Sequence, residues 1–263
     1  MAQLEVITRR PAGTARPTPL LFVHGAFCGA SIWDVHFLPF FAERGYVAHA
    51  LSLRGHGTSE GRGMLAWHGI ADYVADLIET VASLERPPVL IGHSMGGYVV
   101  QRGLARAGAA AAVLMASTPH DGLLGPLLGM AWRRPLVLHQ LTIAQAFGTR
   151  LAAWPMLRRA LFSDESPDDW VEGFASLFQD ESHRISFDML YDPAPPHADG
   201  ALPMLVLGAA RDAFLSPEDV ARTARAYDTV AAIFPDIAHC MMLEPGWRTV
   251  AEAIADWLDG TLA

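Results

Sequence analysis

Gly92-His93-Ser94-Met95-Gly96 places a serine among small neighbours, directly after the apolar triplet Val89-Leu90-Ile91 and before a helical stretch running to about Ala107. A serine hydroxyl is a weak nucleophile. It gains reach when it projects from a sharp strand-to-helix turn, and such a turn closes only if the flanking positions are nearly free of side chains. The chemistry this suits is attack on a carbonyl. The start of the helix would aim backbone N–H groups and the positive end of its dipole at the developing oxyanion, with the Met95 N–H as one natural donor. Such a serine needs a base, and the base needs an orienting acid. Asp212 follows the apolar run Leu205-Val206-Leu207, and His239 follows the run that ends near Phe234. At the carboxyl ends of parallel strands both would emerge beside Ser94. Asp236 precedes His239 by three residues and lacks a strand-end setting, so it ranks behind Asp212.

The elements that must position these groups are legible as alternation. Leu20 to Val23 reads as a buried strand stopping at His24-Gly25. A helix carrying Trp33, Phe37, Phe40 and Phe41 on one side follows, with Gly45 suited to its C-terminal cap. Val47 to Leu53 gives another strand, and Tyr73, Val74, Leu77, Ile78 and Val81 recur at helical spacing before Pro87-Pro88. After the strand at Ala112–Met115 the rhythm breaks. From Ser117 to about Gly200 the pattern is helical and apolar, with Leu123, Leu127, Met130, Trp132, Phe147, Trp154, Phe162, Trp170, Phe174 and Phe178, and it closes on Pro193, Pro195 and Pro196. Strand and helix then alternate again to the end. This predicts one α/β core made of residues 1–116 and 201–263, with a helical insertion at 117–200.

Composition narrows the function classes. The chain has 263 residues, 51% of them hydrophobic and 18% charged, which is ample material for a buried core. All 19 basic residues are arginine, because the sequence contains no lysine, so Schiff-base chemistry, lysine-bound pyridoxal phosphate and a Walker-type phosphate loop are excluded. A formal charge of -9 disfavours a nucleic-acid partner. Cys28 and Cys240 make neither a disulfide framework nor a zinc site, and the histidines and carboxylates show no metal-ligand spacing, so neither metal nor cofactor is expected. No secretory signal and no run of about 18 apolar residues is present, and the expected location is the cytoplasm.

Five segments, His24-Gly25-Ala26, Arg54-Gly55-His56-Gly57-Thr58-Ser59, Gly92 to Gly97, Gly208 to Asp212 and His239 to Pro245, together resemble the successive signature segments of the α/β-hydrolase superfamily. The resemblance implies that fold, a mainly parallel sheet with helices on both faces and a helical cap. It also implies roles: Ser94 attacks, His239 shuttles the proton, Asp212 holds the imidazole, and the Ala26 N–H joins Met95 N–H in the oxyanion hole. His24, His56 and His93 would orient loops, Glu244 would be structural, and His120 with Asp121 would cap a loop or touch substrate. The activity expected is cofactor-independent cleavage of a small-molecule carboxylic ester with a fairly apolar acyl or alcohol part. Carbon–carbon hydrolysis, lactonase, amidase and acyltransferase activity keep the same three residues, and a small-molecule receptor on this fold is the alternative outside enzymology. Haloalkane dehalogenases and epoxide hydrolases of the superfamily carry an aspartate where Ser94 stands. The plant hydroxynitrile lyases carry a lysine where Cys240 stands.

Overall fold

The computed structural model describes residues 2–147, 154–194 and 202–262, with the backbone alone at 146–147 and 154–157. Pro195, Pro196 and Gly200, and with them the expected boundary at 200/201, lie outside the described residues, as do the side chains of Phe147 and Trp154. Seven strands form one sheet: β1 (Glu5–Arg9), β2 (Leu20–Val23), β3 (Ala48–Ser52), β4 (Val89–His93), β5 (Ala111–Met115), β6 (Met204–Ala209) and β7 (Ala231–Phe234). Their order is β1-β3-β2-β4-β5-β6-β7, and every pair is parallel except β1 with β3.

The period-2 geometry of a strand explains why the central strands read as unbroken apolar runs. Leu20 and Phe22 face one side of the sheet, and Leu21 and Val23 the other; all four are fully buried. The first side packs against α1 (Ser31–Asp34), α2 (Phe37–Glu43) and α11 (Trp247–Thr261), through Trp33, Phe37, Phe41, Val250, Ile254 and Leu258. The second packs against α3 (Ile70–Ala82), α4 (Met95–Ala107) and α10 (Pro217–Ala226), through Tyr73, Leu77, Tyr98, Val99 and Val220. Each fully buried Leu, Val or Phe contributes about 1.5–3 kcal/mol of transfer free energy, so the two layers carry most of the folding drive.

Between β5 and β6 the chain makes a helical excursion with α5 (Leu124–Arg133), α6 (Pro135–Phe147), α7 (Trp154–Leu161), α8 (Asp168–Glu172) and α9 (His183–Tyr191). No strand occurs there among the described residues. One expectation needs correcting. The single helix through Trp33 and Phe41 is two short ones, broken at His36 (φ −134°). Pro39 accounts for the break: it has no N–H to donate, and its ring would strike the carbonyl of Val35 in a continuous helix, whereas the first turn of α2 tolerates it. The edge strand β1 carries little sequence signal, because it is half-exposed and polar at Glu5, Thr8 and Arg9.

The chain runs outward from β2 to β3 and then returns to β4, on the other side of β2. The loops leaving β2 and β4 therefore diverge at a crevice between neighbouring strands, which is where open α/β sheets bind ligands. Those loops carry Ala26 and Ser94.

Candidate active site

Ser94 sits between β4 and α4 with φ 52° and ψ −119°, a region that side-chain-bearing residues rarely occupy. Holding it there costs about 1–3 kcal/mol, offset by the surrounding structure. The Ser94 N–H donates to Met115 O (3.1 Å), and Ser94 O accepts from Thr118 N (3.1 Å) and Tyr98 N (3.2 Å). The two flanking glycines are sterically required. A Cβ on Gly92 would meet the backbone of Gly96 and Gly97, and one on Gly96 would meet the carbonyls of Val23 and His24.

Ser94 Oγ lies 3.0 Å from His239 Nε2, and His239 Nδ1 lies 2.8 Å from Asp212 Oδ2. Both Asp212 and His239 are buried. The other carboxylate oxygen, Asp212 Oδ1, accepts from Phe214 N (2.7 Å) and Leu215 N (3.1 Å), so the acid is held by backbone on one side and faces the ring on the other. A carboxylate can only accept, so Nδ1 of His239 carries a proton and a neutral ring turns the lone pair of Nε2 toward Ser94. The Phe214 ring packs on the imidazole (centroids 4.5 Å) and restricts its tilt. The amides of Ala26 and Met95 donate no hydrogen bond among the described residues. Both residues border the same cavity as Ser94.

The other candidates fall elsewhere. His24 Nδ1 donates to Gly25 O (2.8 Å) while Nε2 accepts from Leu53 N (3.1 Å), and burial, with His56 adding to it, pushes the ring down to about 3. His93 Nε2 donates to His239 O (2.9 Å), and burial holds the ring neutral. Both imidazoles brace loops. His56 Nε2 lies 3.2 Å from Glu181 Oε2. Asp236 pairs with Arg211 at the surface, away from His239. Glu244 accepts from Ser163 N, Ser163 Oγ and Ser166 Oγ, which pins the excursion to the segment after His239. Asp121 pairs with Arg222, and neither His120 nor Asp121 borders the cavity. Cys28 and Cys240 are free, buried thiols, and burial pushes both above the ordinary thiol range. Among the described residues no group of three or more His, Cys, Asp or Glu is placed to hold a metal ion, and no helix is long and apolar enough to cross a membrane.

A cavity of about 440 Å³ opens over Ser94 and His239. The core supplies its floor, and the excursion supplies apolar walls through Leu123, Leu127, Met130, Leu138, Leu141 and Phe187.

Residues 20–253 match the model of the alpha/beta hydrolase family. The chain belongs to the alpha/beta hydrolase family. Within it, 107 residues are 41% identical to a non-heme haloperoxidase of Rhodococcus erythropolis, a match over 38% of this chain and only 37% of that protein. Among solved structures, a thermophilic esterase of Thermogutta terrifontis superposes with TM-score 0.74 at 21% identity, over 99% of this chain and 94% of that one. An epoxide hydrolase of Bacillus megaterium superposes with TM-score 0.71 at 15% identity, over 98% and 97%. At such identities the likeness concerns the hydrolase fold alone, and relatives that differ in chemistry share it.

Three neighbours of the site differ in how far the sequence points to them. Phe214 follows Asp212 closely and could have been suspected from that spacing. Phe27 has φ 64° with no glycine to announce it, and Glu181 reaches the same loop from about 150 residues away.

Proposed function

We propose that the protein is a serine esterase acting on small to medium, fairly apolar carboxylic esters. Ser94 Oγ attacks the ester carbonyl carbon while His239 Nε2 takes its proton. The carbonyl oxygen becomes an oxyanion, which accepts from the N–H groups of Ala26 and Met95. Asp212 stabilises the imidazolium and keeps its ring in place. Collapse of the tetrahedral intermediate expels the alcohol, protonated by His239, and leaves an acyl group on Ser94. Water, deprotonated by His239, then releases the acid by the same route reversed.

The observation that carries this reading is the Ser94–His239–Asp212 hydrogen-bonded chain opening onto an apolar cavity, beside two backbone amides without a hydrogen-bond partner among the described residues. In this reading the excursion, residues 117–200, acts as a cap over a core of 1–116 and 201–263. Its leucines receive the acyl or alcohol chain. The cytoplasm is the compartment proposed, in keeping with two thiols left unpaired.

The test is hydrolysis of a p-nitrophenyl ester series by the protein and by Ser94→Ala, with mass spectrometry after a fluorophosphonate. Turnover lost in the variant and a single adduct on Ser94 are expected. An adduct without ester turnover would move the protein to carbon–carbon or lactone hydrolysis, or to a receptor role. Absence of both in folded protein would sink the assignment of Ser94.

A further inference from the structure

The loop leaving β2 carries Ala26 and then Phe27, and Phe27 takes a left-handed backbone conformation (φ 64°) despite its side chain. Such a residue does not hold itself in place; its neighbours must do so. Here both polar groups of its backbone are gripped by one short segment of the excursion. Gln179 N donates to Phe27 O (2.7 Å), and Phe27 N donates to Glu181 Oε2 (3.2 Å).

Glu181 is fully buried, and a buried carboxylate survives only when its lone pairs and charge are answered. Tyr73 Oη donates to Oε1 (2.9 Å), Ser182 N donates to the same oxygen (2.6 Å), and His56 Nε2 stands 3.2 Å from Oε2. Burial opposes charge on both partners, yet their mutual attraction prevails: the His56 pKa is raised and that of Glu181 lowered. Gln179 is fixed in turn, its Oε1 accepting from Arg62 Nη1 (2.7 Å) and Gly57 N (3.2 Å). The core thus holds the 179–182 segment, and that segment holds Phe27.

The Phe27 N–H is therefore committed to Glu181. The amide of Ala26, one residue earlier, has no partner among the described residues, and Ala26 borders the cavity beside Ser94. The two peptide planes share the Ala26 Cα, so fixing one limits how the other can turn. We propose that Glu181 is a positioning residue for the oxyanion hole: by holding the Phe27 amide it sets the direction of the Ala26 N–H, although it belongs to the excursion and touches no substrate. The inference rests on the serine-hydrolase reading above. A purely structural clamp would look similar in a melting curve, but it would not discriminate between ground state and transition state.

The experiment compares Glu181→Gln with the parent protein on the best p-nitrophenyl ester. It also measures inhibition by a trifluoromethyl ketone, which forms a tetrahedral adduct with an oxyanion on Ser94. The variant should lose about 10- to 100-fold in kcat, with KM within about twofold. Ketone affinity should fall by the same factor as kcat/KM. Should Glu181→Gln not fold, Tyr73→Phe and His56→Gln each remove one partner of the carboxylate, and each should show a smaller loss with the same coupling. A folded variant whose kcat and ketone affinity stay within about twofold of the parent overturns the proposal while leaving the esterase reading intact. So does a rise in KM alone, which would mean that Glu181 only shapes the pocket. If the parent itself neither turns over esters nor forms the ketone adduct, the hydrolase reading fails and the positioning role goes with it.

Discussion

Strand β4 is buried along its whole length, whereas α5 and α6 leave Leu124, Leu128, Trp132 and Leu136 each more than half exposed. The sheet and its flanking helices form two continuous apolar layers, into which Phe162, Val171, Ile185 and Met189 of the excursion also pack, while among the described residues Met130, Val137 and Ala160 form a separate small cluster with Ala213. The groups proposed to react follow the same division. Ser94, Asp212 and His239 all stand at the ends of strands or in loops just beyond them, and the excursion contributes mostly the apolar walls of the cavity. A rigid layer holds atoms to within fractions of an ångström, as bond-making requires. A loosely packed one can change its shape without disturbing them.

This contrast can be broken most sharply at the acid. Asp212→Asn keeps the shape but lets the amide N–H face His239 Nδ1, which favours the wrong tautomer. kcat should fall about 10⁴-fold while the melting temperature barely moves. Ester kinetics beside thermal melts would decide it, and a loss below tenfold would mean that the rigid layer does not set the chemistry. Next comes Gly96→Val, whose side chain enters the carbonyls of Val23 and His24. A loss of about 1–3 kcal/mol in denaturant unfolding is expected, together with slower fluorophosphonate labelling of Ser94. A variant as stable as the parent would show that the turn has slack.

Among the walls the effect should be smaller and of another kind. Leu127→Ala enlarges the cavity from a half-buried position and should shift preference toward longer acyl chains. The ratio of kcat/KM between two chain lengths should change about 10-fold, with little change in stability. An unchanged ratio would place the chain of the substrate elsewhere.

The smallest effect is a pH dependence belonging to the rigid layer. His24 and His93 stay neutral in the fold below the ordinary 6.5, and the unfolded chain takes up protons there first. Their contribution to stability is complete above pH 6.5 and fades as the pH falls through their lowered values, which for His24 is about 3. His56 acts in reverse. Its raised value gives a contribution that is full below 6.5 and is lost as the pH climbs through that raised value. Melting temperatures should therefore decline from pH 7 to about 4.5, with proton uptake on unfolding near pH 5 detectable by calorimetry in buffers of different ionisation enthalpy. A flat profile would mean that these rings are not neutral where they are buried.

What could be read from the sequence follows the same line between regions. β2, β4, β5 and β6 announce themselves as apolar runs because both their faces are covered, and Ser94 stands out because its turn needs glycines at 92 and 96. A strand-end setting does not separate Asp212 from Asp236, because Asp236 follows β7 at Phe234 as Asp212 follows β6 at Ala209; in the structure Asp212 Oδ2 lies 2.8 Å from His239 Nδ1, whereas Asp236 pairs with Arg211. β1 is not legible in the sequence because an edge strand pairs on one side only and alternates weakly. Glu181 could not have been found, since its partners Phe27, His56 and Tyr73 lie more than a hundred residues earlier and form no local pattern. The walls of the cavity belong to helices whose apolar residues point both inward and outward, and no periodicity separates the two.

β5 and β6 are hydrogen-bonded neighbours, with Ala112 opposite Met204 and Met115 opposite Leu207, although the whole excursion lies between them in the chain. The excursion therefore departs from and rejoins the sheet at adjacent strands. Closing a longer or shorter loop between such points changes the free energy by only about 0.6 kcal/mol per doubling of length. The scaffold can accept a longer or shorter segment here without shifting the register of any strand, provided the residues that pack into its two layers, such as Phe162, Val171, Ile185 and Met189, and the hold of Gln179 and Glu181 on Phe27 are kept. The range of molecules admitted and the durability of the framework can then diverge along separate evolutionary histories.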